Sequence, residues 1–250
     1  MLSALLSWFF IWGDIFVLGF FFTSHELYRT GNYFVGAVIA PIVPVMYSYF
    51  SKIQHDKESV KRALLLSSKV VSFFVLPIGV GLYIVQNPLS DLIFGEKWTG
   101  IASVIGYLAL MHGVAWIIGL NNSAYAAVGR PDIESKILII NLFLYLISSN
   151  KFFLFARFML AVVSIYVHVY ASKKILNIGF LETFGNIKYT LSVLILVVNH
   201  FFINEYISSY FSMLLVLSAS VIVYLITIYI LDKKLLITLT NIIKRRQIVD

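Results

Sequence analysis

The sequence predicts an all-α membrane protein, a polytopic bundle of about eight transmembrane helices with both termini cytoplasmic. Three observations lead there. The 250 residues are 60% hydrophobic and only 12% charged, whereas a soluble domain is about 45–50% apolar and about 25% charged. The apolar residues come in long runs, which suits membrane spans. The Lys and Arg residues fall unequally on the two sides that those runs define.

The first run covers residues 5–22 and the second 33–50, with Pro41 and Pro44 inside it. The third, 63–85, contains Pro77, Gly79 and Gly81. The fourth and fifth are 101–124 and 137–147, the sixth is 155–171, the seventh 189–202 and the eighth 208–231. The fifth and seventh are short against the roughly 20 residues that a bilayer requires, so each is expected to extend into its polar flanks. Of the 19 Lys and Arg residues, all but Arg29, Lys97, Lys151 and Arg157 lie on the side that holds both ends of the chain. Cytoplasmic loops carry the cation excess, so that side is read as cytoplasmic. Residues 54–62 are expected to lie on the membrane surface. Residues 87–95 suit a short amphipathic helix at the headgroups. The tail 235–243, followed by Lys244, Arg245 and Arg246, either docks on anionic lipid or stays solvated.

Several chemistries are excluded. The chain has no cysteine, hence no disulfide, thiolate ligand or Cys nucleophile. It shows no P-loop, G-x-S-x-G or H-E-x-x-H motif. Its five histidines are scattered with no i, i+4 pair, so neither metal nor cofactor is expected, and His112 reads as a packed core residue. No large loop offers room for a catalytic site, and the chain is not read as an enzyme. The net charge of +7 belongs to loops beside spans, where cations meet lipid headgroups. No basic groove with interleaved aromatics is present, so nucleic acid is not an expected partner.

Charges within spans are costly, about 2.5–3.5 kcal/mol at a helix centre on insertion scales, and mark either a polar interior or a paired site. Asp14 in the first span is either a cavity or cation site or a structural hydrogen-bond partner. Lys69 in the third span either meets a phosphate or reaches the headgroups. Arg157, near the outer end of the sixth, either lines a cavity or anchors to lipid. Pro77 with Gly79 and Gly81 forms a candidate hinge, since Pro removes a backbone donor.

The order and spacing of short motifs over residues 13–136 resemble the bacterial polysaccharide flippases, the O-antigen and exopolysaccharide exporters of the superfamily that also holds multidrug antiporters. The resemblance runs from Gly13-Asp14, Leu18-Gly19 and Gly31-Asn32-Tyr33 through Ser51-Lys52-Ile53-Gln54 and Pro77 with Gly81-Leu82. It continues at Phe94-Gly95-Glu96-Lys97-Trp98 and at Gly129-Arg130-Pro131-Asp132 with Lys136. Gly95, Trp98 and the Gly129–Asp132 segment are read as structural loop residues. The resemblance implies the family's second lobe over residues 1–172, followed by two further spans and a basic tail over 173–250. It also implies a fragment without a first lobe, inactive unless it pairs with such a lobe or with itself.

The implied activity is alternating-access transport of undecaprenyl-pyrophosphate-linked oligosaccharide across the bacterial inner membrane, for surface polysaccharides such as lipopolysaccharide. Expected partners are the lipid-linked oligosaccharide, membrane lipids, and either the missing N-terminal lobe or glycan polymerase and chain-length proteins. Asp14, Lys69 and Arg157 are the candidate cavity charges. Two other readings stay open: a cation-coupled multidrug exporter of the same superfamily, and a non-transporting component of a glycan-assembly complex. A glycan polymerase ranks behind both.

Overall fold

The computed structural model describes residues 41–91, 102–147, 153–183, 192–193 and 209–246. The expectations for Asp14, Gly95, Trp98, the first span and all but two residues of the seventh lie outside them. Among the described residues every regular element is helical and no strand occurs. We number the helices α1 Ile42–Lys52, α2 Lys57–Ile84, α3 Gln86–Leu89, α4 Ala102–Ala115, α5 Asn121–Ala127, α6 Asp132–Ile147, α7 Phe153–Leu176, α8 Phe180–Thr183, α9 Tyr210–Leu231 and α10 Lys233–Arg246. Among the described residues, three helical stretches are long and apolar enough to cross a membrane: Lys57–Ile84, Met159–Leu176 and Phe211–Leu231.

The centre of the fold is α2. Asp56 caps its start, accepting from the Glu58 amide at 3.0 Å, which satisfies one of the donors left open at a helix N-terminus. The helix has 28 residues, or about 42 Å at a rise of about 1.5 Å per residue, against a hydrocarbon core about 30 Å thick. The excess explains a difference from the sequence reading. From Lys57 onward, the charged segment expected to lie flat on the surface forms the first turns of the spanning helix itself.

The fourth apolar run is also not one helix. It is divided into α4, a 3₁₀ turn at Trp116–Ile118, and α5. Ile117, Ile118 and Leu120 at the break are all buried. Irregular backbone inside a membrane protein is stable where protein surrounds it, and that holds here. The next helix, α6, begins at Asp132 and so reaches into the polar flank of the fifth apolar run. In the second run, Pro44 sits in the first turn of α1, where an absent amide costs no intrahelical bond.

Two apolar cores meet at α2. One joins Phe50, Val60, Leu64, Val71 and Val75 to Ala109, Leu120, Ala124 and Leu176. The other joins Phe73, Leu76, Val80 and Ile84 to Ile117, Met213, Tyr224, Ile228 and Leu235. Helix α9, beyond residue 172, therefore packs directly on α2. Its other faces expose Phe211, Leu214, Ile222, Ile226 and Ile230, which suits a helix bathed by lipid on most sides.

At the start of α2, Lys61 binds the Glu182 carboxylate at 2.8 Å and donates to the Asn177 carbonyl at 3.1 Å. Asn177 ends α7 in the left-handed region, φ 53°, a conformation that asparagine tolerates better than most residues. Glu182 also accepts from the Gly179 amide at 2.6 Å. The Gly179 amide first, and then Lys61, hold its carboxyl below the ordinary value. A lowered folded-state value gives stability that is complete above the ordinary glutamate pKa and lost as pH falls through the folded one. Amide exchange in Gly179–Thr183, followed down a pH series, is therefore expected to keep its protection to below pH 4.5, the ordinary value. Protection lost already above that pH would contradict this tie.

Candidate functional site

Pro77 sits within the unbroken run of α2. Its missing amide leaves the carbonyl of Phe73, one turn earlier, without its helical donor. The Tyr224 hydroxyl, reaching from α9, donates to that carbonyl at 2.9 Å. The Tyr224 ring lies 5.7 Å from the Phe73 ring, and Tyr224 is 3% exposed. A helix opened by proline is thus closed by a side chain from another span, one of the ways in which membrane helices tolerate proline.

Phenylalanine at position 224 would keep the ring and remove the donor. We expect Tyr224→Phe to cost about 0.5–1.5 kcal/mol, the range for a hydrogen bond lost inside a membrane protein. Pro77→Ala restores the helical amide, so the same change should cost less in that background. Thermal unfolding of the four proteins in detergent checks this.

One turn before Phe73 on the same side, the Lys69 ammonium pairs with the Asp232 carboxylate at 2.6 Å. Asp232 separates α9 from α10, and its other oxygen accepts from the Leu235 amide at 3.2 Å. The Asp232 side chain is 9% exposed and that of Lys69 28%. Lys69, Phe73 and Pro77 recur every four residues on α2, as Tyr224, Ile228 and Asp232 do toward the end of α9. Two antiparallel stripes therefore meet with an ion pair at one end and the proline-freed carbonyl at the other.

On its opposite side, α2 crosses α4 through glycine. A methyl group on Gly79 would stand 2.6 Å from the Ala109 carbonyl oxygen and 3.1 Å from the Gly113 Cα. Gly113 is the reciprocal contact, since its own Cβ would lie 3.3 Å from the Gly79 Cα. Gly81, by contrast, has nothing within 4 Å. Of the three residues read as a hinge, one removes a donor, one sets a close crossing and one faces open space.

A buried polar cluster joins α5 to α7. Asn121 donates to the Ser172 hydroxyl at 3.0 Å and to Tyr125 at 3.3 Å. The Tyr125 and Ser172 hydroxyls are 2.7 Å apart, and Tyr125 also donates toward the His168 carbonyl at 3.0 Å. Asn121 and Ser172 line a small cleft with Ser68 and Thr183. No Lys, Arg, Asp or Glu lines it, so the cleft offers neutral hydrogen-bonding groups and no binding charge.

The Gly129–Asp132 segment forms a tight connection. Gly129 has φ +78°, and its amide donates to the Ala126 carbonyl while the Arg130 amide donates to that of Tyr125. This is a Schellman ending for α5, which favours glycine at the left-handed position. After Pro131, Asp132 opens α6, taking a bidentate pair from Arg130 at 2.9 and 3.1 Å and a third contact from Lys136 at 2.9 Å. Arg130 foremost, then Lys136, holds the Asp132 carboxyl well below the usual carboxylate range. All three side chains are consumed by one another and serve the turn.

Arg157 lies on the first turns of α7. His112 is half-buried on α4. Among the described residues no His, Asp and Glu side chains group in threes that could hold a metal ion. The sequence reading missed Asp232 and Tyr224. An acid placed between a 22-residue apolar helix and two lysines was the available signal for Asp232. A tyrosine inside a span resembles any packing aromatic and gave none.

Comparison with known proteins bears on the chain's ancestry. Residues 1–103 match the family described as polysaccharide biosynthesis protein. The chain is 31% identical over 77 residues to the succinoglycan biosynthesis transport protein ExoT of Rhizobium meliloti, covering 31% of this chain and 16% of that one. It is 30% identical over 105 residues to the lipopolysaccharide biosynthesis protein WzxC of Escherichia coli, 42% of this chain and 21% of that one. Identity to the teichuronic acid biosynthesis protein TuaB of Bacillus subtilis is 27% over 96 residues, 38% of this chain and 20% of the relative. The chain therefore aligns with about a fifth of these relatives' length. No solved structure matches it.

Proposed function

We propose that this membrane chain, which resembles the bacterial polysaccharide flippases, is part of a transporter that moves an undecaprenyl-pyrophosphate-linked oligosaccharide from the inner to the outer leaflet of the inner membrane. The observation that carries the reading is the match of residues 1–103 to the polysaccharide biosynthesis family, joined by relatives named for succinoglycan, lipopolysaccharide and teichuronic acid biosynthesis. Three helices of spanning length and composition support the membrane setting. The finer architecture belongs to the same proposal: eight spans, cytoplasmic termini, a lobe over 1–172 and two added spans with a basic tail over 173–250.

The sugar and pyrophosphate need a wet, cation-lined path, while the lipid tail stays in the bilayer. In this reading two lobes rock to open that path alternately, and α2 bends at Pro77 as they do. Lys69 and Arg157 are its candidate cations and Asp14 its candidate carboxylate. In the conformation described, Lys69 already holds an anion, the Asp232 carboxylate. A phosphate would have to displace it, so Lys69 takes part in binding only after α9 and α2 shift apart.

Asp14 gives the sharpest test of mechanism. Asp14→Asn, in a version of the protein that supports glycan export, is expected to impair export while leaving the amount of protein in the membrane unchanged. Surface glycan measured by antibody or lectin checks this, and unchanged export would remove Asp14 from the mechanism.

A further inference from the structure

Helix α10 leaves the end of α9 after a single residue, Asp232. Its sequence from 233 to 246 holds Lys233, Lys234, Lys244, Arg245 and Arg246 and no acidic residue. Leu235, Leu236, Leu239, Ile242 and Ile243 recur between them at helical spacing. The first turn is fixed to the protein, because Leu235 is buried in the core shared by α2 and α9 and Leu236 packs beside it. Lys233 and Lys234 are exposed, and Ile237 stands 47% exposed just beyond them.

The position of this helix identifies what covers it. The last turns of α9 expose Ile226, Tyr229, Ile230 and Leu231, an apolar surface that ends abruptly at Asp232 and the two lysines. The Lys233 ammonium lies over the Tyr229 ring at 5.3 Å, an aromatic and a cation together where an apolar span gives way to charge. Tyrosine and lysine gather in this way at the headgroup boundary. A basic helix with an apolar row, starting at that boundary, has the composition of helices that lie in the interface and bind anionic lipid.

We infer that α10 docks on the acidic phospholipid headgroups of the membrane surface at which α9 ends. Asp232 makes this docking consequential. The same carboxylate caps α10 and pairs with Lys69, so the seated helix holds one end of the contact between α9 and the proline-containing helix. The inference stands apart from the transport reading, since it concerns lipid contact and not the cargo.

The absence of cysteine allows a single environment-sensitive fluorophore on Leu239→Cys, within the apolar row, in the full chain. The chain is placed in nanodiscs of phosphatidylcholine alone or mixed with phosphatidylglycerol. We expect blue-shifted emission in the mixed discs only, reversed by high salt as screening demands. Changing Lys244→Gln, Arg245→Gln and Arg246→Gln together should reduce the docked-to-free ratio on the order of a hundredfold, from roughly fivefold per surface cation. The charge-conserving Lys244→Arg should keep the shift, which separates lost charge from lost fold. Equal emission in both disc types would overturn the inference, blue-shifted emission in both pointing to shielding independent of anionic lipid and unshifted emission in both to a solvated helix. A shift that survives the triple Gln change would overturn it as well.

Discussion

Replacing Gly79 with alanine is expected to destabilise the protein by about 1–3 kcal/mol relative to the same change at Gly81. Both substitutions gain the same helix propensity, about 1 kcal/mol, so that contribution cancels in the comparison. They differ in what the new methyl meets. At Gly79 it would stand 2.6 Å from the Ala109 carbonyl oxygen and 3.1 Å from the Gly113 Cα. Both are backbone atoms that no rotamer change can move, so α2 and α4 must separate. Their separation loosens a core that includes Val75 and Ala109, 2% and 1% exposed. Close approach through small residues is a general basis of helix association in membranes, where apolar burial gives little drive between helices. At Gly81 nothing lies within 4 Å, so Gly81→Ala should be neutral or slightly stabilising. Thermal unfolding of the two variants in detergent decides it, and equal effects would contradict the glycine crossing.

The second large effect concerns the pair that joins the last span to α2. Removing one partner of a buried ion pair typically costs about 3–5 kcal/mol, because the other charge is left without compensation. Lys69 is 28% exposed, so water can reach it and the expected cost of Asp232→Ala falls to about 1–3 kcal/mol. Part of that cost is the cap, since Asp232 also accepts from the Leu235 amide; a lost cap costs about 1 kcal/mol. Lys69→Met leaves the cap in place. The double variant, Lys69→Met with Asp232→Ala, removes both charges and should regain part of the loss. A double-mutant cycle on unfolding in detergent should return a coupling of about 0.5–3 kcal/mol. Strict additivity would show that the two side chains do not depend on one another.

These effects arise from helix pairing, and that is where the sequence falls silent. The apolar runs at 63–85 and 208–231 were legible because hydropathy alone marks a span of sufficient length. Which faces meet was not legible. Tyr224 and Phe73 are 151 residues apart, and periodicity says nothing about which helix lies beside which. Lys69 stood out as a charge within an apolar run, but its partner follows α9 at a position that reads as a loop. The break at Trp116–Leu120 carries no proline and only Gly119, a weak sign in a run that is otherwise continuously apolar. Its cause is tertiary, the burial of Ile117, Ile118 and Leu120 among neighbouring helices. The Gly129 turn is the opposite case. Glycine followed two residues later by proline is a local signal, and the bonds at 126–130 are local as well.

The proline-freed carbonyl, the ion pair and the glycine crossing lie on one helix, α2, and share a consequence for the transport reading. A bend at Pro77 changes the Tyr224 contact on one side of α2 and the Gly79 contact on the other. Movement of this helix is therefore expected to be a two-state event in which α9 either stays engaged or releases. Interfaces packed this closely switch between arrangements rather than deforming gradually.

The transport reading itself is tested most directly by the leaflet distribution of the lipid-linked oligosaccharide. The measurement is made in membranes of cells that carry the gene and of cells from which it is deleted, using an impermeant reagent that modifies only the outward-facing sugar. Accumulation of the inward-facing form on deletion, reversed when the gene is restored and not by its Asp14→Asn form, is the expected result. An unchanged distribution between the leaflets would contradict it.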